Sequence, residues 1–149
     1  MAGTAIGDVR KHVSASLAAL AAFDGVLVTT AWKVGGRHRD RVYTTKAKFR
    51  QAPANMRGTA RTFRDETGSF EVIVRIEGVG MNPDQTIDRA LTLGTAVEEW
   101  VADNRNIATD VPGVEWLVAD GDGRLQERFS DKGTLVELAY TLAYRARLT

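Results

Sequence analysis

The sequence has no cysteine. That excludes disulfides, thiolate metal sites and a cysteine nucleophile, and it fits a chain made in a reducing cytosol. Histidine is nearly absent too: only His12 and His38 occur, and neither has a partner at ligand spacing. A metal site needs three or four convergent ligands, so no metal is expected. No stretch approaches the roughly 20 apolar residues that cross a bilayer. The longest, Ala18–Phe23, falls far short. The start lacks a basic segment followed by an apolar one, so no signal peptide is read and no membrane partner is expected. A net charge of +1 supplies no global field toward nucleic acid or lipid. Repeats and low-complexity tracts are also missing.

What remains is an ordinary globular composition, 44% hydrophobic and 26% charged over 149 residues. That is enough for one domain with a real core, so residues 1–149 are read as a single unit. The C-terminus carries the strongest pattern. Val136, Leu138, Tyr140, Leu142, Tyr144, Ala146 and Leu148 alternate with Glu137, Thr141, Arg145, Arg147 and Thr149. Such alternation marks a strand buried on one side. At about 3.3 Å per residue it would run roughly 45 Å, against a radius of gyration near 15 Å for a compact chain of this size. The strand must bend, break at a bulge, or reach past its own domain. The last option suits assembly more than catalysis.

Upstream, Ile6, Val9, Val13, Leu17 and Leu20 predict an amphipathic helix over 4–22, capped by Thr4 and closed by Asp24-Gly25. Strands are predicted over 26–34 and 41–49, joined as a hairpin with its tip at Gly35–Asp40. Residues 50–58 contain Pro53 and Gly58 and no period, which reads as a mobile loop. A hairpin over 59–78 is expected to turn at Thr67-Gly68. Asn82, Pro83 and Gln85 announce a helix over 83–104, with Ile87, Ala90, Leu91, Gly94, Val97 and Val101 as its buried stripe. Val114, Trp116 and Val118 form a short strand, Asp120–Gly123 a turn, and Arg124–Phe129 a strand pairing back. The order predicts an α+β fold: one mostly antiparallel, twisted sheet with two helices packed on one face.

Signals for chemistry are weak. Asp120-Gly-Asp122-Gly opens like a calcium loop, but Arg124 occupies the third ligand position. Gly78-Val-Gly80 lies between strand and helix without the glycines or Gly-Lys-Ser/Thr of a phosphate loop. No catalytic residue, cofactor or metal is predicted, and the chain is not read as an enzyme. The one charge bias is basic: Lys33, Arg37, Arg39, Arg41, Lys46, Lys48 and Arg50 against Asp40 alone. A solvated hairpin, a surface facing an acidic protein and a surface facing phosphates all remain open. Glu98 and Glu99, with Asp103, lie on the solvent side of the second helix.

Phe70-Glu-Val-Ile-Val-Arg-Ile-Glu77, Asn82-Pro-Asp-Gln-Thr-Ile-Asp-Arg-Ala-Leu91, Val97-Glu-Glu-Trp100, Gly113-Val-Glu-Trp116 and the closing Glu137–Leu148 strand, in this order, resemble the tail terminator (tail completion) proteins of long-tailed bacteriophages. The resemblance spans nearly the whole chain and rests on element order and residue texture. It implies a virion protein assembled in the bacterial host cytoplasm, whose copies form a hexameric ring at the head-proximal end of the tail. The ring caps the tail tube, ends its polymerisation and joins it to a neck or head-completion protein, while the genome passes through the lumen without sequence-specific binding. A ring of identical heterologous contacts needs two complementary patches per subunit. The candidates are Arg37, Arg39, Arg41, Lys46, Lys48 and Arg50 against Glu98, Glu99 and Asp103. Loop 50–58 is expected to order on the tube or neck. The alternatives are a different head-tail joining protein, or a small nucleic-acid-binding module using the basic hairpin 33–50.

Overall fold

The computed structural model describes residues 3–35, 40–53 and 63–148. Its elements are helix α1 (Ile6–Ala18), a 3-10 turn (Ala21–Phe23), strands β1 (Leu27–Val28), β2 (Asp40–Pro53) and β3 (Arg64–Gly78), helix α2 (Pro83–Asp103), and strands β4 (Val114–Ala119), β5 (Arg124–Ser130) and β6 (Gly133–Leu148). They form one six-stranded sheet in the order β1-β2-β3-β6-β4, with β5 also on β6. All pairs are antiparallel except β1 with β2.

The long C-terminal strand exists, but it is not an arm. β6 pairs with β3 through fifteen consecutive residues, from Arg64 opposite Leu148 to Gly78 opposite Thr134. Its other edge is shared by β5 along the first half and β4 along the second. The strand is therefore the centre of the curled sheet and keeps its length within the domain.

Both helices pack on one face. Phe70, Val72, Val74 and Ile76 of β3 and Val136, Leu138, Leu142, Tyr144, Ala146 and Leu148 of β6 share one core with Val9, Val13 and Leu17 of α1 and Ala90, Leu93, Val97 and Val101 of α2. The capping of α2 is as predicted. Asn82 Oδ1 accepts from the Gln85 amide at 2.8 Å, while Gln85 Oε1 accepts from the Asn82 amide at 3.2 Å. The stripe of α2 is rotated from the expected one: Thr86, Leu93 and Trp100 are buried and Leu91 is exposed.

Several expectations are corrected. The first helix is shorter than 4–22; Ala5, not Thr4, is the N-cap residue, though Thr4 Oγ1 still accepts from the Ile6 amide at 3.2 Å. The strand expected over 26–34 shrinks to β1 and runs parallel to β2, so 26–34 and 41–49 form no hairpin. Residues 36–39, at its supposed tip, lie outside the described residues. Arg50–Pro53 belong to β2 and not to a loop, because Arg50, Gln51, Ala52 and Pro53 pair with Thr67, Glu66, Asp65 and Arg64; 54–58 lie outside the described residues. β3 runs straight through Thr67-Gly68, so no turn forms there. Asp120–Gly123 does not reverse the chain either. β4 and β5 both lie antiparallel to β6, and five residue steps from Ala119 to Arg124 match three from Leu142 to Ala139. The segment is a step along one edge, fastened by the Asp120 amide to Thr141 O at 2.8 Å.

Two glycines set close approaches. A Cβ on Gly68 would lie 2.4 Å from the Tyr144 ring and hydroxyl. One on Gly94 would lie 2.4 Å from Leu138 Cδ2 and from the Tyr140 hydroxyl. Gly68 thus lets the Tyr144 ring lean along the sheet, and Gly94 lets α2 settle onto β6. We expect Gly68→Ala and Gly94→Ala each to destabilise the fold by about 1–3 kcal/mol through overpacking. Gly7→Ala, in open space on α1, should stabilise by about 0.5–1 kcal/mol. Denaturant unfolding followed by circular dichroism reads all three.

Candidate functional site

The face of the sheet opposite the helices is set by a single bulge. Thr45 lies opposite Glu71 and Lys48 opposite Ser69, so β2 takes three steps where β3 takes two. Lys46 absorbs the extra residue at φ +50°. Before the bulge Val42 and Thr44 point to the core. After it the phase inverts, and Lys48 and Arg50 line up with Ser69 and Thr67 on the helix-free face. The apolar face expected from Tyr43, Thr45, Ala47 and Phe49 does not form, because this inversion divides it.

The curled helix-free face holds two adjoining clefts of about 310 and 340 Å³ that share Lys48, Ser69 and Asp120. Lys46, Lys48 and Arg50 stand on one side and Trp116 and Asp120 on the other. The floor is made of small residues, Ser69 and Thr67 on β3 and Thr141 and Ala143 on β6. Around this trough the face is laced with ion pairs. Glu71 meets Lys46 at 3.5 Å and Arg124 at 3.8 Å. Arg145 meets Asp65 at 3.6 Å and Glu115 at 3.3 Å, and Arg147 reaches Asp65 at 3.2 Å. Arg75 pairs with Glu137 at 3.2 Å and Glu77 at 3.7 Å.

The predicted interface residues divide. Arg37 and Arg39 lie outside the described residues. Arg41 is buried and turned inward: its guanidinium donates to Lys33 O at 2.7 Å and Gly35 O at 2.6 Å, and lies 4.8 Å from the Trp32 ring. Lys46 is tied to Glu71. Lys48 and Arg50 are exposed and make no ion pair among the described residues. On α2, Glu98, Glu99 and Asp103 are all exposed. Glu98 accepts a hydrogen bond from Tyr140, whose pKa is raised by burial and by the Glu98 charge. Glu99 and Asp103 have no ion pair among the described residues. The structure therefore does not bring the basic and acidic sets together within one chain. They occupy opposite faces of the sheet.

One polar constellation was missed. Glu66 is fully buried. Its Oε2 accepts from the Ala5 amide at 2.9 Å and the Tyr144 hydroxyl at 2.7 Å, and its Oε1 accepts from Gln51 Nε2 at 2.8 Å. Burial pushes the carboxyl pKa up, but hydrogen bonds from Thr4, Gln51, Tyr144 and Ala5 outweigh it and hold the group below its ordinary 4.5. Burial and Glu66 together push the Tyr144 hydroxyl strongly up. This cluster fastens the start of α1 to the sheet, where the helix dipole also favours an anion. Its sequence signal was the position of Glu66 in phase with Phe70, Val72 and Val74. A turn assumed at Thr67-Gly68 hid that phase.

Among the described residues, no group of three or more His, Cys, Asp or Glu side chains could hold a metal ion. No helix among them is long and apolar enough to cross a membrane. No family model matches the chain, and no curated protein does. Among solved structures, the chain shares its fold with one from the virion of a native gene transfer agent particle. The TM-score is 0.58 at 14% identity, over 98% of this chain and 100% of that one.

Glu66 makes stability pH-dependent with a definite sign. Its folded pKa is depressed, so its contribution is complete above the unfolded value near 4.5 and is lost as pH falls through the folded value. Glu66→Gln should flatten that acid limb. Tyr144→Phe should cost about 1–3 kcal/mol. Urea unfolding at pH 7 and at a series of lower pH values measures both.

Proposed function

We propose that the protein is a structural component of a phage-like virion, and that its copies close into a ring that caps the tail tube, ends its polymerisation and joins it to the neck. One observation carries this reading. The fold corresponds end to end with a virion chain of a gene transfer agent, a phage-like particle, with neither chain leaving a large part uncovered. The element order that resembles tail terminators agrees with it.

The surfaces support the same reading. A ring needs two different patches on each subunit. The unpaired cations Lys48 and Arg50 lie on the helix-free face, and the unpaired carboxylates Glu99 and Asp103 lie on the helical face. With patches on opposite sides, one copy meets the next head to tail. The expected partners are other copies of the chain, six to a ring, then the tail tube protein and a neck or head-completion protein. The genome would pass through the lumen.

Native mass spectrometry of the purified protein, with electron microscopy of particles assembled in its presence and absence, tests the proposal. The expected outcome is a closed ring of six copies and, without the protein, tails of uncontrolled length that fail to join heads. A chain that stays monomeric at every concentration and enters no particle overturns it. A ring found elsewhere in the neck would replace the tail-capping role with a head-joining one.

A further inference from the structure

We infer that the trough on the helix-free face seats helix α2 of a second copy of this chain, with Lys48 and Arg50 receiving that copy's Glu99 and Asp103. The inference rests on the ring reading and adds to it the two surfaces that touch.

The shapes fit. From β2 to β4 the trough spans three strand spacings, about 14 Å, and a helix with its side chains is about 10–12 Å across. Its floor of Ser69, Thr67, Thr141 and Ala143 leaves room for a helix to settle. The exposed stripe of α2 is equally plain: Asp88, Thr92, Thr95, Glu99 and Asp103 recur at spacings of three and four, and all are exposed. Small threonines pack against a small-residue floor, and acids stand at the ends.

The charges fit in number and spacing. Lys48 and Arg50 are two apart on a strand, about 6.6 Å along its axis. Glu99 and Asp103 are four apart on a helix, about 6 Å along its axis. Two carboxylates at that separation meet two cations without distortion. Within one chain the contact is impossible, since α2 and the trough lie on opposite faces of the sheet. Acids inside the trough argue against a nucleic-acid backbone as the occupant. Glu71 is already shared by Lys46 and Arg124, and Asp120 stands on the wall opposite Lys48. A phosphate chain would meet both repulsively. A helix whose carboxylates lie along the β2 side avoids Asp120.

The test is a charge exchange in the full chain. K48E/R50E and E99K/D103K should each weaken self-association about a hundredfold. All four substitutions in one chain should restore it. Native mass spectrometry over a concentration series reads association, and circular dichroism confirms that each variant folds. Reversals that leave the ring intact, or a fourfold variant that stays dissociated although folded, overturn the docking while the ring reading stands. A parent protein that never associates overturns both. Loss of duplex DNA binding on K48E/R50E with association unchanged overturns it in favour of a phosphate-facing trough.

Discussion

The fifteen-residue ladder between β3 and β6 is the constraint on which the rest depends. Every other strand attaches to one of these two directly or through β2, and both helices cover the same side of the pair. Because β3 is as long as the ladder and β5 and β4 divide the other edge of β6, almost no backbone donor or acceptor of the C-terminal strand is left for a partner. A strand of this length inside a small domain is possible only because the sheet curls. Curling in turn makes the uncovered face concave. The trough is thus a consequence of the ladder.

A second, local constraint decides what that concave face carries. Lys46 at φ +50° inverts the phase of β2. Without the inversion Lys48 and Arg50 would point to the helical side, where Glu66 and the start of α1 lie, and Phe49 and Gln51 would point away from it. Gln51 could then no longer reach Glu66 Oε1. One bulge therefore serves the lock at the N-terminus of α1 and the exposure of two cations at the same time. Lys on this edge, with the bulge and Pro53, also discourages stray strand pairing along the part of β2 that β1 does not cover. β5 lacks such protection, is exposed throughout and presents Phe129 at 70% exposure.

The sequence made some of this legible and concealed the rest for identifiable reasons. The capping box of α2 and the alternation of β6 are local signals, written in neighbouring residues, and both correspond to what forms. The fold class followed from their order. The failures are non-local. A two-residue parallel β1 has no period to detect, and Gly35-Gly36 imitates a hairpin turn. Thr67-Gly68 also looks like a turn, yet Gly68 is there because Tyr144 crosses it on the way to Glu66. Asp120–Gly123 carries hairpin chemistry but follows an edge that only β6 defines. Of the site, the residue types were readable and the faces were not, because a bulge adds one residue and moves every side chain after it to the other side. Arg41 looked like its neighbours until the structure turned it beneath Trp32.

The energetics favour closure over open association. An exposed ion pair contributes about 0.2–1 kcal/mol, so two such pairs beside a modest apolar contact hold two copies weakly. A ring changes the arithmetic. An open row of copies has one contact fewer than its members, and the last contact of a ring forms within a single assembly, at an effective concentration in the millimolar range or above. Weak heterologous contacts therefore leave free subunits apart at low concentration and become stable together once the circle closes. That behaviour suits a protein that must end the growth of a tube. It also explains why the interface would use separated charges and small residues in place of a large apolar patch, which would bind copies irregularly before the geometry of closure could select among them.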